Sequence, residues 1–169
     1  AFCDAWAAVA DLAIQEGIDV VPVVPVILGG DDATVITDGA FAIPFAVAFL
    51  EAFEERTGAD PFISSLSDDG KMTAGAGVAV VRHNFPFHLA YDLAERLAST
   101  AKTAGKRMDE SCSTLSYHIL YDSTVLDPEE LLASYTPFTN EAETAQSVPA
   151  MTSRPYRILA RKELSIPLP

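Results

Sequence analysis

Val20-Val21-Pro22-Val23-Val24-Pro25-Val26-Ile27-Leu28-Gly29-Gly30-Asp31-Asp32-Ala33-Thr34-Val35-Ile36-Thr37 consists of two β-branched runs separated by Gly-Gly-Asp-Asp. The runs predict strands, Val20 to Leu28 and Ala33 to Thr37, and the short break predicts a hairpin with two carboxylates at its tip. Glycines at 29 and 30 leave out the Cβ atoms that would crowd a tight turn or a substrate lying against it. Adjacent aspartates supply hard oxygen ligands of the kind Mg²⁺ or Mn²⁺ takes. Taken alone, Asp-Asp at a hairpin tip is more often simple turn chemistry, so the remainder of the chain decides between the two readings. Pro22 and Pro25 each lack an amide donor, which puts the first run at a sheet edge or gives it a bulge.

Upstream, residues 2 to 16 place Phe2, Trp6, Val9, Ala10 and Ala13 on one helical face, with Gly17 as the stop. Downstream, Asp38-Gly39 ends the second strand, and Pro44 is expected in the first turn of a helix. That helix carries Phe45, Phe49 and Phe53 four apart and ends at Gly58. Residues 59 to 71 hold Pro61, several serines and Asp68-Asp69-Gly70, and read as a mobile surface loop whose acids are solvated. Met72 to Arg82 predicts a central strand, with Gly75 and Gly77 permitting close packing. Pro86 opens a helix with a Leu89, Leu93, Leu97 ridge that Gly105 ends. Residues 113 to 121 alternate like a half-buried strand. The predicted order is α-β-β-α-β-α-β. Beyond it, a short helix is expected at Glu129 to Ser134, residues 136 to 153 read as a linker, and the tail from Arg154 could dock back as one more short element.

The chain has 169 residues, 49% of them hydrophobic, enough to build one domain with a real core. No apolar run approaches the roughly 18 residues that would span a bilayer, so no transmembrane segment is expected. Asp4 and Asp11 in a stretch without a basic n-region argue against a signal peptide, and the cytoplasm is the expected compartment. A net charge of -13 argues against a general nucleic-acid-binding surface, because phosphate binding relies on Lys and Arg. A phosphate ligand would have to be held locally, by metal ions, a few basic side chains and backbone N–H groups. Cys3 and Cys112 have no metal-ligand spacing and read as ordinary thiols. His83, His88 and His118 form no cluster by spacing, and the absence of a His-Asp dipeptide argues against an HD-type nuclease.

Removing the last helix and strand leaves α-β-β-α-β, which becomes βαββαβ if a strand is added in front. With that order, the blocks Val26-Ile27-Leu28-Gly29-Gly30-Asp31-Asp32, Ala76-Gly77-Val78-Ala79-Val80, and Ala94-Glu95 followed by Ala101-Lys102 and Gly105-Lys106-Arg107 resemble a known family. It is the GGDD-type palm, or cyclase-like, domain of the large subunit of type III CRISPR effector complexes, related to GGDEF diguanylate cyclases. The resemblance covers about residues 2 to 122. It implies an α+β fold: a ferredoxin-like palm of βαββαβ type, an antiparallel sheet with helices packed on one face. The palm is expected over 1–122 and an extension or linker over 123–169. Family members carry a strand ahead of the first helix that contributes another metal-binding acid. The first strand is apparently absent here, since the sequence begins at Ala1 inside that helix, and something is expected to fill its interior slot in the sheet.

The resemblance further implies that Asp31 and Asp32 are the catalytic acids and bind Mg²⁺ or Mn²⁺, that Gly29 and Gly30 let the nucleotide lie against the turn, and that Lys102 contacts its phosphates. The implied activity is metal-dependent nucleotidyl transfer or cyclisation, from ATP to cyclic or linear oligoadenylates. The implied partners are other effector subunits with guide RNA and target RNA. The isolated chain is expected to bind nucleotide weakly and turn it over poorly. Two alternatives stand beside this. One is a non-catalytic palm module for nucleotide binding or subunit packing. The other is a diguanylate cyclase-like enzyme, which the Ala33 that follows Asp32 argues against, because Gly-Gly-Asp-Asp does not continue as Glu-Phe.

Overall fold

The β-branched runs pair as an antiparallel ribbon, β1 (Val23–Gly29) with β2 (Asp32–Thr37), in a register that sets Val23 opposite Thr37 and Gly29 opposite Asp32. The computed structural model describes residues 1–30, 32–107, 112–120 and 155–158. The register shifts between Pro25 and Ile27, where a proline without an N–H interrupts the ladder. Side chains alternate across a strand. Val23 and Val35 therefore meet the helices, in a core with Ala5, Val9 and Ala13 of α1 (Phe2–Gln15) and Phe41 and Phe45 of α2 (Gly39–Ala59). Asp32, Thr34 and Ile36 share the opposite face of β2.

Helix α1 buries Ala5, Val9 and Ala13, a small-residue stripe that lets α2 come close, while the expected core residue Trp6 is 41% exposed. Helix α2 starts earlier than expected because the Asp38 carboxylate accepts from Ala40 N at 2.9 Å and caps it. Pro44 consequently lies inside the helix rather than in its first turn. The Phe45, Phe49 and Phe53 rings stack in succession at 6.4 Å, and Phe2 meets Phe45 edge-on at 5.8 Å.

The segment read as a mobile loop contains a helix, α3 (Pro61–Leu66). Asp60 accepts from Phe62 N and Ile63 N, and Pro61 supplies a preset φ at the first helical position. Asp68 and Asp69 lie beyond it in an exposed turn that ends at Gly70, φ 68°.

β3 (Gly75–Val80) and β4 (Thr114–Ile119) run parallel, joined through α4 (Phe87–Gly105). Parallel neighbours need a crossover, and a sheet of that kind is covered on both faces. Ala76 and Val78 of β3 and Leu115 of β4 pack on Ala46 and Leu50 of α2. On the other face, Gly75 and Gly77 receive α4: a Cβ at 77 would fall 2.0 Å from the Ala94 carbonyl oxygen, and one at 75 would fall 2.7 Å from Lys102 N. The α+β palm arrangement is present, but α2 and α4 sit on opposite faces of β3, where helices on one face of an antiparallel sheet were expected. β4 is buried on both faces rather than half-buried, with Thr114, Leu115, Ser116 and His118 all enclosed.

β5 (Tyr156–Arg157) pairs antiparallel with Thr114 and Leu115, Tyr156 stacks on Tyr117 at 5.6 Å, and Ile158 joins the core under α2. This part of the expected extension over 123–169 docks on the palm. The helix expected at Glu129 to Ser134 and the linker of 136 to 153 lie outside the described residues. Strand order is β1-β2 in one sheet and β3-β4-β5 in the other. Among the described residues, the interior strand of a βαββαβ order is missing, and the sheet stands as two pieces bridged by α2. No described helix is long and apolar enough to cross a membrane.

Candidate functional site

The hairpin tip projects from the fold: every residue from Val24 to Gly30 is exposed, as are Asp32 and Ala33. Gly30 takes φ 62°, a left-handed conformation that a side chain would strain. Gly29 has an ordinary φ and nothing within 4 Å of where a Cβ would sit. Nothing in the described fold requires glycine at 29. Asp32, opposite Gly29, opens β2 with its side chain in solvent. Asp31 lies outside the described residues.

Hard carboxylate oxygen is the right donor for Mg²⁺ or Mn²⁺, and Mg²⁺ commonly keeps several waters while bound by one or two carboxylates plus substrate phosphates. Asp32 fits that open mode. No group of three or more His, Cys, Asp or Glu side chains gathers into a closed metal cage among the described residues. His118 is buried in β4, whereas His83 and His88 are exposed, and Cys3 is exposed while Cys112 is buried.

Lys102 lies in the last turn of α4 with its backbone against Gly75 and its side chain exposed. It shares a stripe of α4 with Glu95 and Tyr91. Tyr91 is the residue of that stripe that reaches the hairpin, and Lys102 is about three turns further on, roughly 16 Å along the helix axis at 1.5 Å per residue. The structure thus gathers Gly29, Gly30 and Asp32 at the tip and leaves Lys102 at a distance that an extended ligand would have to bridge.

One feature of this region was missed in the sequence. Tyr91, half-buried, stands near Glu95 on its own helix and near Thr34 of β2, and feels the charge of Asp32. The Glu95 carboxylate raises the Tyr91 pKa above its usual value, and loss of solvent adds to this, while Thr34 acts in the opposite sense. Phe87 packs on Tyr91 at 6.2 Å. Phe87, Tyr91 and Glu95 recur every fourth residue, a spacing that could have identified the stripe as more than a solvated helix face.

A second polar cluster is structural. Glu54 of α2 accepts from Lys71 Nζ and from Ser113 N, and Ser113 Oγ accepts from Ala74 N at 3.1 Å. Thr57 Oγ1 donates to Phe53 O at 2.7 Å and accepts from Met72 N at 3.1 Å. Lys71, the last residue of the segment expected to be a loop, is thus bound into the seam between α2 and the β3–β4 sheet.

A ribbon with a Gly-Gly-Asp-Asp tip, two helices behind it and a βαβ unit beside it defines the class: a palm-type α+β domain. The family model described as Cas10/Cmr2, second palm domain, matches residues 6–110. The chain belongs to that family, the palm domains of the large subunit of type III CRISPR effectors. No curated protein matches it.

Proposed function

We propose that the domain carries out metal-dependent nucleotidyl transfer on ATP, making cyclic or linear oligoadenylate within an RNA-guided antiviral effector assembled with other subunits, guide RNA and target RNA. The observation that carries this reading is the exposed Asp32 opposite a Gly29 that neither its φ nor any packed neighbour explains. Gly29 and Gly30 let a triphosphate lie along the turn, Asp31 and Asp32 hold Mg²⁺ or Mn²⁺, and Lys102 neutralises the distal phosphates. Ions so bound would lower the charge barrier to in-line attack of a ribose hydroxyl on the α-phosphate, in which the α–β phosphoanhydride bond breaks, pyrophosphate leaves and the hydroxyl proton passes to solvent. With a net charge of -13, the domain holds phosphate only at this local site and leaves RNA to its partners. The setting is cytoplasmic, and the relation to GGDEF cyclases is one of motif and fold.

A non-catalytic palm module is the second reading. The small number of acids gathered at the tip among the described residues favours it. The test is ATP conversion by the assembled effector with Mn²⁺, its products separated by chromatography. Asp31→Asn with Asp32→Asn is expected to abolish oligoadenylate formation while assembly is retained, because amides keep the shape and lose the charge that holds the ions. Lys102→Ala is expected to weaken ATP binding about tenfold, the scale of one charge-assisted hydrogen bond. Its control is Arg82→Ala, because Lys71 is tied to Glu54. Turnover by the double variant equal to the parent's would overturn the catalytic reading, and equal affinities for the Lys102 and Arg82 variants would remove Lys102 from the site.

A further inference from the structure

Helix α3 is too short to form by itself and buries none of its six residues, so the core does not account for it. It is nevertheless held firmly. The Asp60 carboxylate accepts from Phe62 N at 2.9 Å and Ile63 N at 3.1 Å, and Ser65 Oγ donates to Phe62 O at 2.7 Å. Both ends of the excursion are pinned to α2: Asp60 N donates to Arg56 O at 3.2 Å, Met72 N donates to Thr57 Oγ1, and Lys71 pairs with Glu54. Ser67 Oγ donates to Lys71 O at 2.8 Å and closes the returning turn. What this framework presents to solvent is apolar. Phe62 is 72% exposed and Leu66 71%, and their spacing of four puts them on one face of the helix. Single exposed hydrophobic residues are ordinary. Two large ones side by side on a fixed turn supply what an interface anchor needs, apolar area already ordered before a partner arrives.

The charge around the helix selects the surface that would cover it. The acids that flank it, Glu55, Asp60 and Asp68, are exposed. The two bases of residues 51–71, Arg56 and Lys71, are already paired with Asp4 and Glu54. An apolar centre with an acidic rim is complementary to an apolar groove bordered by Lys and Arg. A second copy of the chain would bring the same acidic rim and a net charge of -13, and would be repelled. We propose that Phe62 and Leu66 are the anchors by which this domain docks on another protein subunit of its effector, laying α3 into an apolar groove with a Lys/Arg rim. The proposal rests on the assembly with other subunits stated above and not on the catalytic reading of the hairpin.

The experiment titrates the 169-residue chain against each of the other protein subunits of the effector, purified singly, by biolayer interferometry, and follows self-association of the chain by sedimentation velocity. The parent is expected to bind one subunit, with affinity falling as salt is raised. Phe62→Ala and Leu66→Ala are each expected to weaken that binding about tenfold or more, the loss by which an anchor is recognised. Ile14→Ala, on α1 and equally exposed at 71%, is expected to leave it unchanged. Asp68→Asn is expected to slow association about two- to threefold with little effect on dissociation. Because neither anchor is buried, both anchor variants should melt as the parent does. Parent-like affinity in both anchor variants would overturn the proposal, as would an equal loss in Ile14→Ala or a lowered melting temperature, which would make Phe62 and Leu66 supports of the fold. A dimer of the chain alone that Phe62→Ala dissociates would give the face to a second copy and overturn it as well. If the parent binds none of the subunits, the proposal fails together with the assembly reading; if it binds through other residues, only the proposal fails.

Discussion

Glu54 carries its charge into the seam between α2 and β4, where its side chain is 14% exposed against 35% for its partner Lys71. Burial pushes its pKa up, but the Lys71 ammonium and the Ser113 donors together outweigh burial and hold the carboxyl below its ordinary 4.5. A carboxyl with a lowered folded pKa stabilises the fold above its unfolded value and stops doing so as pH falls through the folded one. The Glu54 contribution is thus complete at neutral pH and disappears progressively below about pH 4.5. Glu54→Gln is expected to destabilise the chain by roughly 1–3 kcal/mol at pH 7, since an amide fits the space but leaves Lys71 without its counter-charge. Urea titration at pH 7 and pH 3 checks this, and the gap between variant and parent should narrow at the lower pH. Asp4 also sits well below the carboxylate range because Arg56 and the N-terminal ammonium bind it, but this cluster lies in solvent.

At the scale of elements, the close seat of α4 on β3 is the most demanding contact. Gly77→Ala would drive a methyl group into the Ala94 carbonyl and the Ala98 amide, at 2.0 and 2.4 Å, and backbone cannot step aside as a side chain does. A loss of about 3 kcal/mol or more is expected, enough to unfold a marginal domain, with thermal melting followed by circular dichroism as the readout. The role of that glycine could be read from the sequence, because a glycine amid β-branched residues marks a place where another backbone comes close. The hairpin was equally legible, including the irregularity at its prolines, since strand period, turn chemistry and proline chemistry agree there. Helix α3 was not. Its six residues are too few for periodicity, and Asp60-Pro61, a cap followed by a preset φ, has the same composition as a turn. The early start of α2 was missed for a related reason, in that Asp38-Gly39 serves both to end a strand and to cap a helix. The tip glycines and Asp32 could be named from the sequence. The approach of Tyr91 and Glu95 of α4 to Thr34 and Asp32 of β2 could not, because these residues come from two elements whose placement only tertiary packing decides.

At the scale of the whole molecule, each piece of the broken sheet has its own core and α2 belongs to both. Phe41 and Phe45 face the ribbon side, while Ala46 and Leu50 face β3 and β4. Neighbours at 45 and 46 thus point to different cores, which accounts for the nearly uniform apolar character of the first half of α2, where a surface helix would show one stripe. The consequence concerns the order in which the chain assembles. The β3-α4-β4 unit is made from consecutive elements and the ribbon from adjacent strands, so each closes only short loops, but each leaves one apolar face uncovered until α2 arrives. Docking of α2 is therefore the step that commits both halves, and its core side chains should already be packed at the folding barrier. In stopped-flow refolding, Leu50→Ala, which removes a side chain 1% exposed and costs about 2–5 kcal/mol, is expected to slow folding more than it speeds unfolding. Val23→Ala at the base of the ribbon should act mainly on the unfolding limb, and the reverse pattern would place the barrier at hairpin docking.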